Sequence, residues 1–320
     1  MSAEKSSPVP SASATNPHET SRQKCSNTLL SWNGGNFGVS KKEKEIAVFA
    51  DVIRSSGATV VALQEVTAGK GFGARKVAEL AIELGAEWDS ITSDPTQPQD
   101  SETERYAFLW KKSIYEVSRH EATLTRELAE SISREPYRIV LKQKKDGASI
   151  TLYTIHTVPT AKGPTGEVAS LVDFLRIQAG ATIVAGDFNL GRNSLDPLFL
   201  PLGFTGHIRE ATSLKTKIQE SGNYRSRPYD NIYTKEVTVC ASGVFDFVAM
   251  KYAPVDDDTL KAARRVSDHL PVWISWDWFG QRLVRCLFFC IKNPILTDEN
   301  LIFTGTPMEK EAEKTYWNIL

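Results

Sequence analysis

A chain of 320 residues with 41% hydrophobic and 24% charged residues has the composition of an ordinary globular protein, long enough to bury a large core. The charges of its 38 basic and 39 acidic residues nearly cancel. This balance excludes attraction to nucleic acid or to membranes by net charge alone. No apolar run approaches the roughly 20 residues that a membrane-spanning helix needs. A polyanionic partner would therefore have to be recognised by a local patch.

The two ends of the chain differ in composition from its centre. Residues 1–26 are rich in Ser, Pro and Ala and lack the apolar core of a secretory signal, so we predict a disordered N-terminal arm and a cytoplasmic location. A compact domain is predicted over residues 27–276. Residues 277–320 are predicted as a C-terminal extension in which 281–293 form an amphipathic helix, packed either on its own domain or against a partner or membrane surface.

The cysteines show no convincing metal-site pattern. Cys286 and Cys290 are four residues apart, but no histidine or further cysteine lies near them in the sequence. The pattern favours buried thiols in a reducing compartment for all four cysteines, which are Cys25, Cys240, Cys286 and Cys290.

Predicted strands and helices alternate along the compact region. A strand in NTLLSWN enters the Gly-rich turn GGNFG, and helix KKEKEIAVFADVIRSSG, strand ATVVALQEV and helix GARKVAELAIELG follow. Further strands are predicted in WDSITS, RYAFLWKK, YRIVLKQKK and SITLYTIHTV. Helix EVASLVDFLRIQAG, strand ATIVAGDFN and the late strands RPYDNIYTK, VFDFVAM and LPVWISW complete the pattern. This alternation indicates layered mixed sheets with helices outside.

Polar side chains appear next to six of these apolar strands, at a strand end. They are Asn33, Glu65, His156, Asp187 with Asn189, Asp230 with Asn231, and Asp268 with His269. An unpaired polar group in a core costs about 2–7 kcal/mol, so these groups are expected to meet one another or a shared ligand. Oxygen ligands from Glu, Asp and Asn suit a hard cation such as Mg²⁺, and histidines beside carboxylates suit proton transfer.

Taken singly, these residues have simpler interpretations. Asp187 and Asn189 are also typical of a turn after a strand. Asp268 and His269 are also compatible with a helix cap or a hydrogen-bonded core pair. Only the combination and its order along the chain indicate a site.

That order resembles a known family. SWN, LQEV, GDFN and SDHLPV are similar to motifs of the endonuclease/exonuclease/phosphatase superfamily. SWNGGNFG, ETERYAFLW, SISREPYRIVLK, YDNIY and FDFVAM resemble its deoxyribonuclease I branch, and the likeness covers about residues 27–276. It implies a four-layered α/β sandwich in which two packed central mixed β-sheets are covered by helices, with the site at one edge of the sheets.

The resemblance also implies the roles of individual residues. The metal group would consist of Asn33, Glu65, Asp187, Asn189 and Asp268, with Mg²⁺ as the expected ion and Mn²⁺ or Ca²⁺ as alternatives. By the same analogy, His269 held by Asp230 would act as the base and His156 held by Glu104 as the acid. Asp187 would serve both the metal and the catalytic group.

Substrate contacts are predicted for a set of polar residues near these motifs. Arg134 would clamp a phosphate through two hydrogen bonds, unless it forms a surface salt bridge. The other members of the set are Asn231, Arg225 and Arg227. The expected partner is nucleic acid, with DNA favoured.

The predicted function is that of a metal-dependent phosphodiester hydrolase, most specifically a DNase I-like DNA endonuclease. A phosphoesterase acting on a lipid or inositol phosphate headgroup is the alternative within the superfamily. A catalytically silent binding module on the same fold is the alternative outside enzymes. Thr67 and Glu102 stand where the deoxyribonuclease I branch has an Arg and a Tyr that contact the minor groove, which predicts modest activity on duplex DNA.

Overall fold

The computed structural model describes residues 25–38, 43–97 and 103–278, and in these ranges it contains thirteen strands and six α-helices. The strands are β1 (Asn27–Phe37), β2 (Val60–Thr67), β3 (Trp88–Thr92), β4 (Glu104–Lys111), β5 (Tyr115–Val117), β6 (Thr123–Leu124), β7 (Tyr137–Gln143), β8 (Ser149–His156), β9 (Thr182–Asp187), β10 (Thr205–Gly206), β11 (Asp230–Lys235), β12 (Thr238–Val244) and β13 (Val272–Asp277). The helices are α1 (Glu43–Ser55), α2 (Phe72–Leu84), α3 (Thr165–Leu175), α4 (Arg192–Phe199), α5 (Phe247–Tyr252) and α6 (Asp257–Val266).

The strands form two mixed sheets. The first sheet has the order β12-β13-β1-β2-β4-β3, and the second has the order β10-β11-β9-β8-β7-β5 with β6 paired to β7. The pairs β1–β2 and β8–β9 are parallel, and the other pairs within each sheet are antiparallel. Mixed sheets are therefore confirmed.

The central strands are apolar throughout because both of their faces are buried. In β9, Ile183 and Ala185 pack into the core between the sheets, whereas Val184 faces outward into the cluster formed with α3 and α4. In β2, Val60 packs between the sheets and Val61 packs outward into the cluster formed with α1, α2, α5 and α6. The four layers predicted from the sequence are thus confirmed as helices, sheet, sheet and helices.

Three local predictions differ from the structure. In the segment VFDFVAM, predicted as a strand, only Val244 belongs to a strand, the end of β12. Helix α5 begins at Phe247, because Asp246 accepts a hydrogen bond from Ala249 N at 2.9 Å and caps the helix. The Gly-rich turn after β1 is part of the strand, with Gly35 and Asn36 at φ values of 54° and 58°. Helices α4 and α6 were not predicted; α6 is mostly polar, and its buried residues are Leu260, Ala263 and Val266.

A disulfide joins Cys25 to Cys240, so the prediction of free thiols is wrong for this pair. The strands that follow Cys25 and contain Cys240, β1 and β12, flank β13 on either side, and this brings the two sulfur atoms to one end of the first sheet. Spacing along the chain gives no sign of this proximity. Disulfides are typical of oxidising surroundings, so a cytoplasmic location stays a prediction that this bond does not favour.

Several sequence predictions lie outside the described residues. They are the N-terminal arm before Cys25, the C-terminal extension after Trp278 with its amphipathic helix, partner contact and two cysteines, and the side chain of Glu102. Within the ranges that are described, no helix combines the length and the apolar character needed to cross a membrane.

Gly186 is the point at which β9 approaches β8 too closely for a side chain. A Cβ atom at this position would lie 2.0 Å from the carbonyl oxygen of Ile155, its partner in the strand register. We expect Gly186→Ala to lower the free energy of unfolding by about 2–3 kcal/mol, measured by urea denaturation.

The matched control is Gly166→Ala in α3, where a Cβ atom has no neighbour within 4 Å. This change should be neutral or should stabilise the protein by up to about 1 kcal/mol. Equal losses in the two variants would show that close strand approach is not the cause.

Candidate active site

Strand register places three of the predicted residues in one row across the second sheet. His156 in β8 is paired with Asp187 in β9, and Asp187 is paired with Asp230 in β11. Each of these residues is at least 94% buried. The row lies at the ends of β8 and β9 and at the start of β11, so the sheet edge itself assembles the site.

Each of the two histidines is held by its own carboxylate. His156 Nδ1 lies 2.9 Å from Glu104 Oε2, and His269 Nδ1 lies 2.7 Å from Asp230 Oδ2. Because a carboxylate accepts, Nδ1 is the donor in both pairs, and each Nε2 is directed at the site. Both Nε2 atoms lie 3.6 Å from the same oxygen, Asp187 Oδ2.

The backbone of each histidine is held by a buried hydroxyl group. Tyr106 accepts a hydrogen bond from His156 N at 3.1 Å and donates to Arg134 O at 3.0 Å. Ser267 accepts from His269 N at 3.0 Å and donates to Asn33 O at 2.7 Å. Sequence reasoning missed both hydroxyl groups, since Tyr in a strand and Ser before Asp are ordinary core and turn residues.

Glu65 and Asn33 bring a second acidic group to Asp187. The Asn33 amide donates from Nδ2 to Glu65 Oε1 at 2.9 Å and to Asp187 Oδ2 at 3.1 Å. Glu65 has a left-handed backbone with φ of 53°, at an irregularity in the pairing of β2 with β4. Such strain is typical of residues that a site holds in a particular orientation.

The predicted metal group is brought together only in part. Glu65 Oε1 and Asp187 Oδ2 converge, at 3.9 Å and 3.6 Å from His156 Nε2. Asn33 turns its Nδ2 into the site, while its Oδ1 accepts from Gly35 N at 3.0 Å, so it bridges the carboxylates and does not offer its oxygen. The convergent carboxylates are hard oxygen donors and fit a divalent cation.

The other two members of that group have different surroundings. Asn189, with φ of 48°, donates from its backbone N to Asp187 Oδ1 at 2.9 Å and from Nδ2 to Thr157 O at 3.1 Å. It therefore orients Asp187 as a turn residue does. Asp268 has a side chain that is 46% exposed, with Oδ2 3.6 Å from Arg264 Nη2.

Arg134 is buried and its guanidinium group is already engaged. It donates from Nη1 to Glu104 Oε1 at 3.0 Å, from Nε to His156 O at 3.0 Å, and from Nη2 to Thr157 O. The structure therefore differs from both sequence interpretations, a phosphate clamp and a surface salt bridge. In this position Arg134 orients Glu104, the partner of His156.

Two further residues predicted to contact the substrate form hydrogen bonds within the fold instead. Asn231 is 1% exposed. Its Oδ1 accepts a hydrogen bond from Ile208 N at 3.1 Å, and its Nδ2 donates to Ile208 O at 3.0 Å. Asn231 therefore holds a loop and does not face a substrate. Arg225 donates from Nη2 to Asp246 Oδ2 at 2.6 Å. Arg227 is exposed, and its guanidinium forms no hydrogen bond or ion pair among the described residues, so it remains available for a phosphate.

The charges of the site favour protonated histidines. Burial opposes protonation of His156, but the charge and hydrogen bond of Glu104, together with Asp187, raise its pKa above the ordinary value. Burial also opposes protonation of His269, yet the charges of Asp230 and Asp187 raise its pKa well above the ordinary value. Burial would raise the pKa of Asp187, but the two histidines lower it, so this carboxylate stays ionised.

The two packed mixed sheets and their helical cover define the class of the fold. It is the α/β sandwich of endonuclease/exonuclease/phosphatase proteins, so the resemblance seen in the sequence is confirmed at the level of fold. A protein of that family from Leptotrichia buccalis has a TM-score of 0.53 and 15% identity, over 79% of this chain and all of the other.

Other comparisons include both nuclease and phosphatase names. A curated protein named deoxyribonuclease, from Thioalkalivibrio sp. (strain K90mix), is 28% identical over 271 residues, covering 78% of this chain and 70% of the relative. A humanized D. rerio TDP2 and a mannosyl-6-phosphatase of Bacteroides thetaiotaomicron each have a TM-score of 0.55, with 15% and 14% identity. They cover 78% and 79% of this chain, and 98% and 100% of their own. No protein-family model matches the chain.

The raised pKa values of the histidines predict how the stability of metal-free protein depends on pH. The folded state keeps protons that the unfolded chain releases above pH ~6.5, so this stabilisation is complete below that pH and is lost as the pH rises through the raised pKa values. In EDTA we expect the free energy of unfolding to fall from pH 6.5 to 9, by up to about 1.4 kcal/mol per pH unit for each proton.

The variant His269→Gln isolates one of these groups. Its amide can still donate to Asp230 but does not titrate, so its stability should decline less steeply than that of the wild type. Denaturant unfolding at five or six pH values measures both curves. Parallel curves would contradict a raised pKa at His269.

Proposed function

We propose that this chain is a metal-dependent phosphodiester hydrolase, and specifically a DNase I-like endonuclease that acts on DNA. The observation that carries the proposal is the position of Asp187 Oδ2, 3.6 Å from Nε2 of both histidines, with each ring fixed by its own carboxylate. The relative named deoxyribonuclease supports the choice of DNA. Residues 27–276 would form the catalytic domain.

The two histidines would transfer protons on opposite sides of a phosphate. His269, oriented by Asp230, would take a proton from the attacking water at Nε2. His156, oriented by Glu104, would donate a proton from Nε2 to the leaving oxygen, and its raised pKa suits the role of acid. The roles of the pair follow the family analogy.

Glu65 and Asp187 would hold the metal, with Mg²⁺ preferred and Mn²⁺ or Ca²⁺ as alternatives. A divalent cation at these oxygens would stabilise negative charge on the phosphate and offset the carboxylate charges that keep His269 protonated. Asn33 and Asn189 would orient the two carboxylates by hydrogen bonds. Asp268 would complete the group from the exposed side.

Hydrolysis of a smaller phosphoester is a second candidate, favoured by one observation. Thr67 lies opposite Glu104 in the register of β2 and β4. Its side chain is uncharged, so this position next to the site has no positively charged side chain that could bind a DNA duplex. Arg227 would then be the main described phosphate contact of the predicted set. A silent binding module is disfavoured, because both histidine–carboxylate pairs are intact.

Removal of either histidine should abolish most hydrolysis without unfolding the protein. We expect His156→Ala and His269→Ala each to slow Mg²⁺-dependent nicking of supercoiled plasmid by about 100- to 10,000-fold, because each loses one proton-transfer group. Exposed His120, changed to Ala, is the control and should keep wild-type activity. Near wild-type turnover of either site variant would refute the assignment.

The same assay separates the two candidate substrates. An endonuclease converts closed circular plasmid into the open form, and EDTA should stop this conversion. Hydrolysis of bis(p-nitrophenyl) phosphate without any plasmid nicking would favour the smaller phosphoester. Hydrolysis of neither substrate would contradict the proposed function.

Glu65→Gln should weaken the response to metal more than it weakens substrate binding. An amide keeps the shape of the side chain but cannot supply negative charge to Mg²⁺. We expect the Mg²⁺ concentration for half-maximal nicking to rise at least about 10-fold, with a smaller change in KM. Glu79→Gln, on the exposed face of α2, is the control. An unchanged Mg²⁺ titration would show that Glu65 is not a ligand.

A further inference from the structure

Glu167, in the first turn of α3, is a buried carboxylate whose oxygens each hold a different loop. Oε1 accepts a hydrogen bond from Ser133 N at 2.7 Å, and Oε2 accepts from Val158 N at 2.8 Å. Only 8% of the residue is exposed. An acidic residue at the start of a helix is usually a surface feature that favours the helix dipole, so this double contact needs another explanation.

The two loops carry one of the histidines and the arginine behind it. Ser133 precedes Arg134 in the loop before β7, and Val158 lies two residues after His156 at the end of β8. The strands β7 and β8 are antiparallel neighbours, so the loops meet at the same edge of the second sheet. Glu167 joins the loops from the side of the helix.

Arg134 also joins these two loops. Its guanidinium donates to the backbone oxygen atoms of His156 and Thr157, and its Nη1 donates to Glu104. Glu104 in turn holds the ring of His156 at 2.9 Å. A continuous chain of contacts therefore runs from Glu167 through the loop to Arg134, then to Glu104 and to the ring.

We propose that Glu167 is a positioning residue for His156, acting through the loop that carries Arg134 and not on the substrate. This inference rests on the proposed function of the same site. It assigns Glu167 to one histidine only, because the His269 ring is held by Asp230, on a separate strand of the sheet. The carboxylate also contributes negative charge near the buried guanidinium group, which burial alone would destabilise.

Glu167→Gln tests the proposal, because glutamine keeps the length of the side chain but replaces one acceptor with an NH₂ group. That NH₂ group would face a backbone N–H, so one loop loses its contact. We expect kcat for plasmid nicking to fall about 10- to 100-fold with KM changed less than twofold. Asp173→Asn, an exposed change on the same helix, should leave both constants unchanged.

Double variants show through which histidine Glu167 acts. If the effect passes through Glu104, then Glu167→Gln with Glu104→Gln should be no slower than Glu104→Gln alone. The effects of Glu167→Gln and Asp230→Asn should instead multiply. Multiplication in both pairs, or in neither, would overturn the assignment.

A spectroscopic measurement separates this inference from the proposed function. In protein labelled with ¹⁵N-histidine, the Nδ1–H signal of His156, assigned with His156→Gln, should broaden or move upfield in Glu167→Gln, while the signal of His269 stays in place. This result needs no hydrolysis, so an inactive wild type would contradict the proposed function alone. An unchanged His156 signal would overturn the positioning role.

Glu167→Asp keeps the test decisive if the glutamine variant does not fold. Aspartate retains the charge but is one methylene shorter, so it can reach only one of the two loops. The same loss of kcat and the same change in the His156 signal are expected. Wild-type kcat and an unchanged His156 signal in this variant would show that hydrogen bonds to both loops are not needed to position His156.

Discussion

The face-to-face packing of the two sheets is the constraint on which the site depends. Glu104 in β4 reaches His156 in β8, Asn33 in β1 reaches Asp187 in β9, and His269 before β13 reaches Asp230 in β11. Each of these hydrogen bonds crosses from the first sheet to the second. The apolar core between the sheets therefore fixes their separation, and a shift of one sheet would disturb both histidine pairs together.

Asp187 links the two halves of the site electrostatically. One of its oxygens faces both imidazole rings, so a change of protonation at one ring alters the pKa of the other. The carboxylate stays ionised because Asn189 and Asn33 donate to it as well. The two histidines are thereby coupled electrostatically through a single side chain.

The sequence predicted the layers and the row of polar strand ends, because apolar runs and their abrupt endings follow from burial of the sheets. It did not predict the engagement of Arg134 or Asn231, since their partners come from other loops and leave no local pattern. The roles of Glu167 and Tyr106 were not predicted for the same reason. The strand predicted at 244–250 is wrong from Phe247 onward, because the capping hydrogen bond of Asp246 outweighs the β-propensity of the apolar residues that follow it.

The disulfide between Cys25 and Cys240, which are 215 positions apart in the sequence, closes most of the domain into a covalent ring. Every residue of the histidine and carboxylate group except Asp268 and His269 lies inside that ring. A protease that cuts one peptide bond in any loop of the ring opens the backbone but releases no fragment. The nicked domain keeps its two pieces at high effective concentration, so damage at a surface loop does not by itself separate Glu104 from His156.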